Sequence, residues 1–505
     1  MNYPVWWVPF GSQWLIIVTG VIHVFLAQFA VGGGFLLVAA ESWAHRHEDQ
    51  PLLDWLKHQA KVFAFITLVF GATTGVGIWF TIGLISPQAT SDLIHLFVWV
   101  WAIEWVFFVV EILSVIVYAR TWGRLPRRTH RIIGWIYFAS AFLSMVAIDG
   151  ILAFQLAPGA WGKSHSLASA FFNPNLLPSL AVRCLLCLML GGLWALASAS
   201  FSRDRILRAE VARFASGWVW IPALLMGPAC FWFAQMLPRA NRKLWDFTPS
   251  MQNQTWSLAA CLGFLAFLGF AVLWFRPKNL SKGLALLMLL AGLTAVGLFE
   301  WQREQLRDPY LVTGRVYSNG ISVEDYPLLK QRGLLASARW LPPHLGEAKG
   351  AVAEGRELFR VACSSCHAVT RGLNALAPAI RGMDQPYLAA LVLRTDLIWP
   401  GMPPFPGKAP DARAIAAYLA AWAGEAPAPS GGAAIWRMRC GVCHTLDGRF
   451  RPVLPTLKGM GPKDVADLIT SIEVMNSAMP HWSGTDAERE SLANYLAAQE
   501  GGNKP

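Results

Sequence analysis

Eight stretches within the first 303 residues are apolar over about 20 residues or more, the length that carries an α-helix across the hydrocarbon core of a bilayer. They run over 14–40, 60–85, 93–118, 131–157, 178–200, 217–237, 255–275 and 283–303. Nothing else restricts the chain as much. In lipid every backbone N–H and C=O must be satisfied within its own segment, so continuous spans of this length fold as helices. A composition of 55% hydrophobic and 14% charged residues agrees, and 25 Trp supply aromatic belts for two membrane surfaces. The first stretch is long enough to span, so it reads as a membrane helix rather than a cleaved leader.

The connections sort by charge. Arg120, Arg124, Arg127, Arg128 and Arg131 follow the third stretch, Arg203, Arg205, Arg208 and Arg213 the fifth, and Arg276, Lys278 and Lys282 the seventh. On the other side 86–92 has no basic residue and 158–177 has only Lys163, while 238–254 is mixed, with Arg239, Arg242 and Lys243. The positive-inside rule then places both termini outside the cytoplasm, as an even helix count allows. The net charge of +11 does not point to nucleic acid. From Arg339 to the C-terminus there are 17 Lys+Arg against 15 Asp+Glu, so the excess belongs to the membrane half and its topology.

Ionisable residues inside these stretches need a reason, since each costs about 2.5–3.5 kcal/mol at mid-membrane. They are His23, Lys61, Glu104, Glu111, Asp149 and Arg183. Glu111 lies seven residues after Glu104, two turns on and nearly on the same helix face. Two readings stay open. The group is either a polar network that fixes packing, or an imidazole ligand for a haem beside carboxylates that carry protons from the cytoplasmic side. Where the last span ends, Glu300, Arg303, Glu304 and Arg307 follow one another along the helix. Charges at such an end ordinarily anchor the span at the interface.

The second half contains an internal repeat at a constant offset of 77 residues. Cys363-Ser-Ser-Cys366-His367 matches Cys440-Gly-Val-Cys443-His444, Met402-Pro matches Met479-Pro, and Tyr418-Leu-Ala matches Tyr495-Leu-Ala. Two Cys one turn apart can bond the vinyl groups of a haem while the next His takes one axial position on iron. The opposite axial ligand must come from a distant loop, and Met402 and Met479 each lie 35 residues after their His. A His/Met pair gives a low-spin electron carrier of relatively high potential. A zinc site would want four Cys/His ligands per unit and no paired Met. Each unit is expected to be a small all-α cytochrome c, with helices at Ala351–Val361 and Gly431–Arg439 before the motif and at Asp411–Ala423 and Thr485–Gln499 at the end. Met383 and Met460 read as packing residues.

Gly20-Val-Ile-His-Val-Phe25, Val31-Gly-Gly-Gly-Phe35, Lys61, Ala102-Ile-Glu-Trp105, Glu111 and Glu304 followed by Arg307-Asp-Pro-Tyr310 resemble subunit I of the cytochrome bd oxygen reductases over residues 10–310. The repeats resemble class I cytochromes c. The first resemblance implies haem ligation by His23, Glu104 and Glu304 and a proton route through Glu111; Glu104, Glu111, Lys61 and Arg307 are the catalytic candidates, with Arg307 placed to meet a haem propionate. The Glu104–Glu111 gap is one residue shorter than the family pattern. Two departures are larger. Where quinol-oxidising members ligate a third, low-spin haem with a His on helix five and a Met on helix seven, this chain has Arg183 and no Met in 255–275. Their long quinol-binding loop between helices six and seven is reduced to 238–254.

The expectation is therefore an all-α chain with a polytopic membrane domain (1–310), a connector (311–350) and two cytochrome c domains (351–426 and 427–505). The cofactors implied are two covalent c-type haems and two high-spin haems, either b-type or one b-type with one d-type. The partners implied are a subunit II-like membrane protein, a periplasmic electron donor such as a c-type cytochrome, O2 and the lipid bilayer, in a bacterial inner membrane. The leading function is a terminal oxidase that reduces O2. The alternatives are a membrane electron-transfer cytochrome without oxygen chemistry and a reductase of another small ligand such as NO.

Overall fold

The computed structural model describes residues 3, 5–8, 11–338, 350–372, 374–423, 431–448, 451–476, 479–482 and 484–501. They divide into two compact units, one of residues 17–82 and 90–307, the other of residues 1–16, 83–89 and 308–505.

The first unit is built on eight helices long and apolar enough to cross a membrane: α1 Gln13–His47, α2 Gln50–Ile85, α3 Val98–Arg120, α4 Arg127–Leu156, α5 Leu176–Ala199, α6 Arg205–Met236, α7 Ser250–Trp274 and α8 Lys282–Arg307. They match the eight apolar stretches, extended mainly at the ends that carry Arg and His. Coverage is uneven: 61% of the apolar window of α5 is buried in the bundle, against 11% for α2 and for α3. The Gly32-Gly33-Gly34 run explains how α1 reaches the centre. A Cβ at Gly32 would lie 1.7 Å from the Cys187 carbonyl oxygen of α5, one at Gly33 2.8 Å from the Phe63 ring of α2, and one at Gly34 2.1 Å from the Tyr137 ring of α4. Three hydrogens in place of side chains let three helices touch α1 at one level. α2 is interrupted by a π-helical turn at Ile66–Gly71.

The second unit holds the two repeats. In the first, α9 (Ala351–Ala362), α10 (Gln385–Val392) and α11 (Ala409–Ala423) surround a core of Leu358, Phe359, Leu388, Ile415 and Leu419. In the second, α12 (Gly432–Ile435, prolonged by a π-helical turn Trp436–Cys440), α13 (Pro462–Met475) and α14 (Asp486–Gly501) surround Ile435, Trp436, Leu492 and Leu496. The first and last helices of each repeat cross at a glycine. A Cβ at Gly355 would lie 1.9 Å from the Ala414 carbonyl oxygen, and one at Gly432 2.2 Å from that of Ser491, 77 residues on in both partners. Met383 is buried in the first core and Met460 packs on the second.

One difference from expectation concerns 311–350, which lacks apolar periodicity and reads as a plain connector. Residues 310–317 form a two-stranded hairpin, and Tyr326–Arg332 is helical. Ile321, Tyr326, Leu329 and Leu334 belong to the core of the first repeat. Single apolar residues in irregular chain contribute to a core without leaving a periodic signal. Residues 339–349 of that stretch lie outside the described residues.

Candidate cofactor sites

In each repeat the Cys-x-x-Cys-His motif closes a single turn. The Cys366 and His367 amides donate to the Cys363 carbonyl at 3.1 and 2.9 Å, and those of Cys443 and His444 to the Cys440 carbonyl at 3.0 and 2.9 Å. His367 Nδ1 lies 3.0 Å from the Asn374 carbonyl oxygen, and His444 Nδ1 lies 3.0 Å from that of Arg451. A carbonyl only accepts, so Nδ1 carries the proton and Nε2 keeps its lone pair for a metal. Both carbonyls come from residues in the left-handed region, with φ 45 at Asn374 and φ 43 at Arg451. These two supports were not foreseen from the sequence, although they too lie 77 residues apart. Burial pulls the His367 imidazole below its ordinary range, partly offset by the Asn374 carbonyl, which favours the neutral, ligating form. Burial pushes the Cys363 and Cys440 thiols up to about 12 and Cys366 to about 11.

The sixth-ligand candidates also sit in equivalent turns. The Met402 amide donates to the Trp399 carbonyl and the Met479 amide to that of Asn476, each at 2.9 Å, and both side chains are half-buried. Among the described residues no group of three or more His, Cys, Asp and Glu gathers as a metal cage. A paired thiol turn, a fixed imidazole with a free Nε2 and a Met on a later loop fit a haem.

In the membrane unit the Thr74 hydroxyl donates to the Phe70 carbonyl at 2.7 Å. Its oxygen is left to accept from His23 Nδ1 at 3.1 Å, and Nε2 is again the free ring nitrogen. Thr74 stands three residues beyond the π-helical turn of α2. Glu104 and Glu111 both face α4, where Ser144 donates to Glu104 Oε1 at 2.8 Å and the Tyr137 hydroxyl lies 3.3 Å from Glu111 Oε1 and 3.0 Å from the Ala30 carbonyl. Two acids seven residues apart on α3 thus meet two hydroxyls seven residues apart on α4. Lys61 is exposed on α2 and makes no ion pair among the described residues. It is not brought to this ladder.

The end of α8 departs from expectation. Glu300 and Arg303 are not interface anchors; they are 5% and 6% exposed. Arg183 of α5 binds Asp149 Oδ1 of α4 through Nε at 2.5 Å and Glu300 Oε1 through Nη1 at 2.7 Å, and Ser179 donates to Asp149 Oδ1 at 2.7 Å. Arg303 Nε reaches Glu300 Oε2 at 2.9 Å and Arg303 Nη2 also pairs with Glu304 Oε1. Arg307 binds Glu304 Oε2 at 2.6 Å and Gln155 Oε1 at 3.2 Å. Three acids and three arginines alternate, so the chain of charges is neutral, which is how a buried set of ions becomes tolerable. Each Glu304 oxygen pairs with one arginine and retains a further lone pair, so Glu304 can ligate while keeping its arginines. Among the described residues, buried Arg183 Nη2, Arg303 Nη1 and Arg307 Nε have no hydrogen-bond partner, which suits the carboxylates of a bound haem.

A further buried cluster was not foreseen at all. Glu41 of α1 accepts from the Tyr118 hydroxyl and lies against His130 Nδ1, each at 2.8 Å, while His130 Nε2 lies 3.0 Å from the Tyr118 carbonyl. The only sequence signal was a Glu just past the first apolar stretch, 18 residues after His23.

Residues 12–239 match the family model of cytochrome bd terminal oxidase subunit I. Residues 350–419 and 427–496 each match the model of cbb3-type cytochrome c oxidase subunit III. Among curated proteins none matches. Among solved structures, the bd oxidase from Geobacillus thermodenitrificans matches with a TM-score of 0.54 at 16% identity, over 66% of this chain and 91% of that one, a likeness of fold.

Proposed function

We propose, for a chain that joins a bd subunit I-like membrane half to two cytochrome c domains, that it is the catalytic subunit of a terminal oxidase fed by a periplasmic c-type donor instead of quinol. Two covalent c-type haems are assigned to Cys363, Cys366, His367 and Met402 and to Cys440, Cys443, His444 and Met479. Two high-spin haems, b-type or one b-type with one d-type, are assigned to His23, Glu104 and Glu304. When bound, these groups supply one-electron carriage and a high-spin iron at which O2, four electrons and four protons give two waters.

The observation that carries the donor assignment is Arg183. A quinol-linked relative would need a haem ligand at this place on helix five. A guanidinium has no lone pair to offer iron, and this one is held inside the bundle between Asp149 and Glu300. The connection from α6 to α7 adds support: it is the short helix Arg239–Phe247 followed directly by α7, with no room for a long external loop.

The remaining residues have definable tasks. His23 presents Nε2, oriented by Thr74. Arg303 and Arg307 hold Glu304 in place and offer N–H donors to haem carboxylates. Glu104 and Glu111, bonded to Ser144 and Tyr137, can each hold a proton at a carboxyl oxygen along one face of α3. A subunit II-like membrane protein would cover the open apolar face of α2 and α3, where Val76, Phe80, Trp99 and Trp105 are 63–70% exposed.

An oxygen electrode tests the reading on the purified holo complex. Reduced soluble cytochrome c as sole donor supports O2 uptake and a quinol does not. Uptake with quinol but not with cytochrome c refutes the donor assignment, and no uptake with either refutes the oxidase.

A further inference from the structure

We propose that the open end of the second cytochrome domain, at Val474 and Met475, docks a soluble class I cytochrome c through the side of that partner's own Cys-x-x-Cys-His turn. The inference rests on the electron-transfer reading above and names the class and orientation of its donor.

The junction between the two repeats has a direction. The Arg451 guanidinium donates to the Leu397 carbonyl in the loop that leads to Met402. Arg451 is also the residue whose own carbonyl orients His444. Met438 and Val442, on either side of Cys440, pack on the core of the first repeat. The Tyr387 hydroxyl of α10 donates to the Arg439 carbonyl at 2.5 Å, and the Arg439 guanidinium lies 3.7 Å from Asp384. The histidine side of the second repeat therefore sits on the methionine side of the first.

The same direction holds one step earlier. The histidine side of the first repeat is covered by other segments of the same compact unit. Cys366 Sγ accepts from Gln13 Nε2 at 3.3 Å and lies 3.7 Å from the Ser318 carbonyl. Trp7, Ser12 and Asn319 line a small cavity there with Val361 and Ser365. The repeats are thus stacked head to tail, a heterologous arrangement that leaves one unsatisfied face at its end.

Adding the repeat offset to Leu397 and Ile398 gives Val474 and Met475. Leu397 and Ile398 are half-buried, and Ile398 packs on the first core. Val474 is 90% exposed and Met475 67%, the highest values for large apolar side chains among the described residues of the cytochrome half. Isolated exposed apolar residues are ordinary. An adjacent pair at the repeat-mate of an existing interface is not. The face that covers this position in the first repeat is a cytochrome's histidine side, so the occupant with matching chemistry is another such domain. In docking, the donor is oxidised by one electron and this chain is reduced by one. A half-chain with 17 basic and 15 acidic residues predicts little salt dependence.

The full-length holoprotein is mixed anaerobically with a reduced, soluble, single-haem class I cytochrome c, and oxidation of that probe is followed by stopped-flow absorbance. Val474→Glu combined with Met475→Glu lowers the second-order rate constant at least tenfold. Reduction of the same variant by ascorbate, which needs no docking face, keeps the wild-type rate. Val352→Glu, the same change at a 49% exposed apolar residue of α9, leaves the rate with the protein probe within about twofold. A double variant that oxidises the probe at the wild-type rate overturns the proposal. So does a wild-type dimer, seen by sedimentation, that the double variant dissociates. No O2 is present, so failure of the oxidase reading would appear separately, as absent O2 uptake with the docking rate intact.

Discussion

The cytochrome half and the membrane half hold their candidate ligands by different means. In the cytochrome half the backbone does it: each imidazole is oriented by a carbonyl seven residues later, at 3.0 Å in both repeats. In the membrane half side chains hold side chains. His23 rests on Thr74, Glu104 on Ser144 and Glu111 on Tyr137, and Glu300 is fixed by an arginine 117 positions earlier in the chain. Backbone support is local and can be copied whole, which is why the two repeats agree so closely. Side-chain support is assembled across helices, so one substitution propagates to several partners.

That contrast sets the order of expected effects. The largest separates the halves completely. His23→Ala or Glu304→Ala removes a high-spin haem while both covalent haems remain, and His367→Ala perturbs only the first cytochrome domain. Pyridine haemochrome analysis with mass spectrometry of the chain reads both, and a full complement of extractable haem in both membrane variants would refute the ligand assignments. Next comes the ion chain. Arg183→Met strands Asp149 and Glu300 without their cation, so the membrane unit loses about 3–5 kcal/mol. Its melting temperature should fall while the midpoint potentials of the covalent haems stay put. If the melt is unchanged, the ion chain contributes nothing beyond replaceable packing. Smallest is Gly355→Ala, which drives a methyl against the Ala414 carbonyl and costs the first cytochrome domain about 1–3 kcal/mol. Unfolding followed at its haem-c band should show the loss, and Gly432→Ala should reproduce it in the second domain. Unequal responses would mean that the repeats are less alike than their backbones suggest.

The same contrast explains what could be read from residues alone. Eight spans were legible because hydrocarbon demands one length and one composition. The repeats were legible because one short motif recurs with the same spacing at a constant offset, Cys363 to His367 and Cys440 to His444. The carbonyls of Asn374 and Arg451 were not, because backbone groups have no residue-type signature, and only the offset between the copies betrays them. Glu300 and Arg303 were misread as anchors. Four alternating charges at a helix end look alike whether they face headgroups or a buried arginine, and Arg183 comes from α5, far away in sequence. The cluster of Glu41, Tyr118 and His130 was missed for the same reason: each residue is unremarkable beside its own neighbours, and only the packing of α1, α3 and α4 brings them together.

The central claim is that the membrane half carries an open high-spin site and the cytochrome half carries only closed, six-coordinate ones. Its most direct test is a CO difference spectrum of the fully reduced holo complex, taken together with extracted-haem analysis. The account predicts a CO-induced change assigned to extractable haem, lost in His23→Ala or Glu304→Ala, with the covalent haem bands unmoved. A spectrum indifferent to CO, or one in which only the covalent haem bands shift, would contradict it.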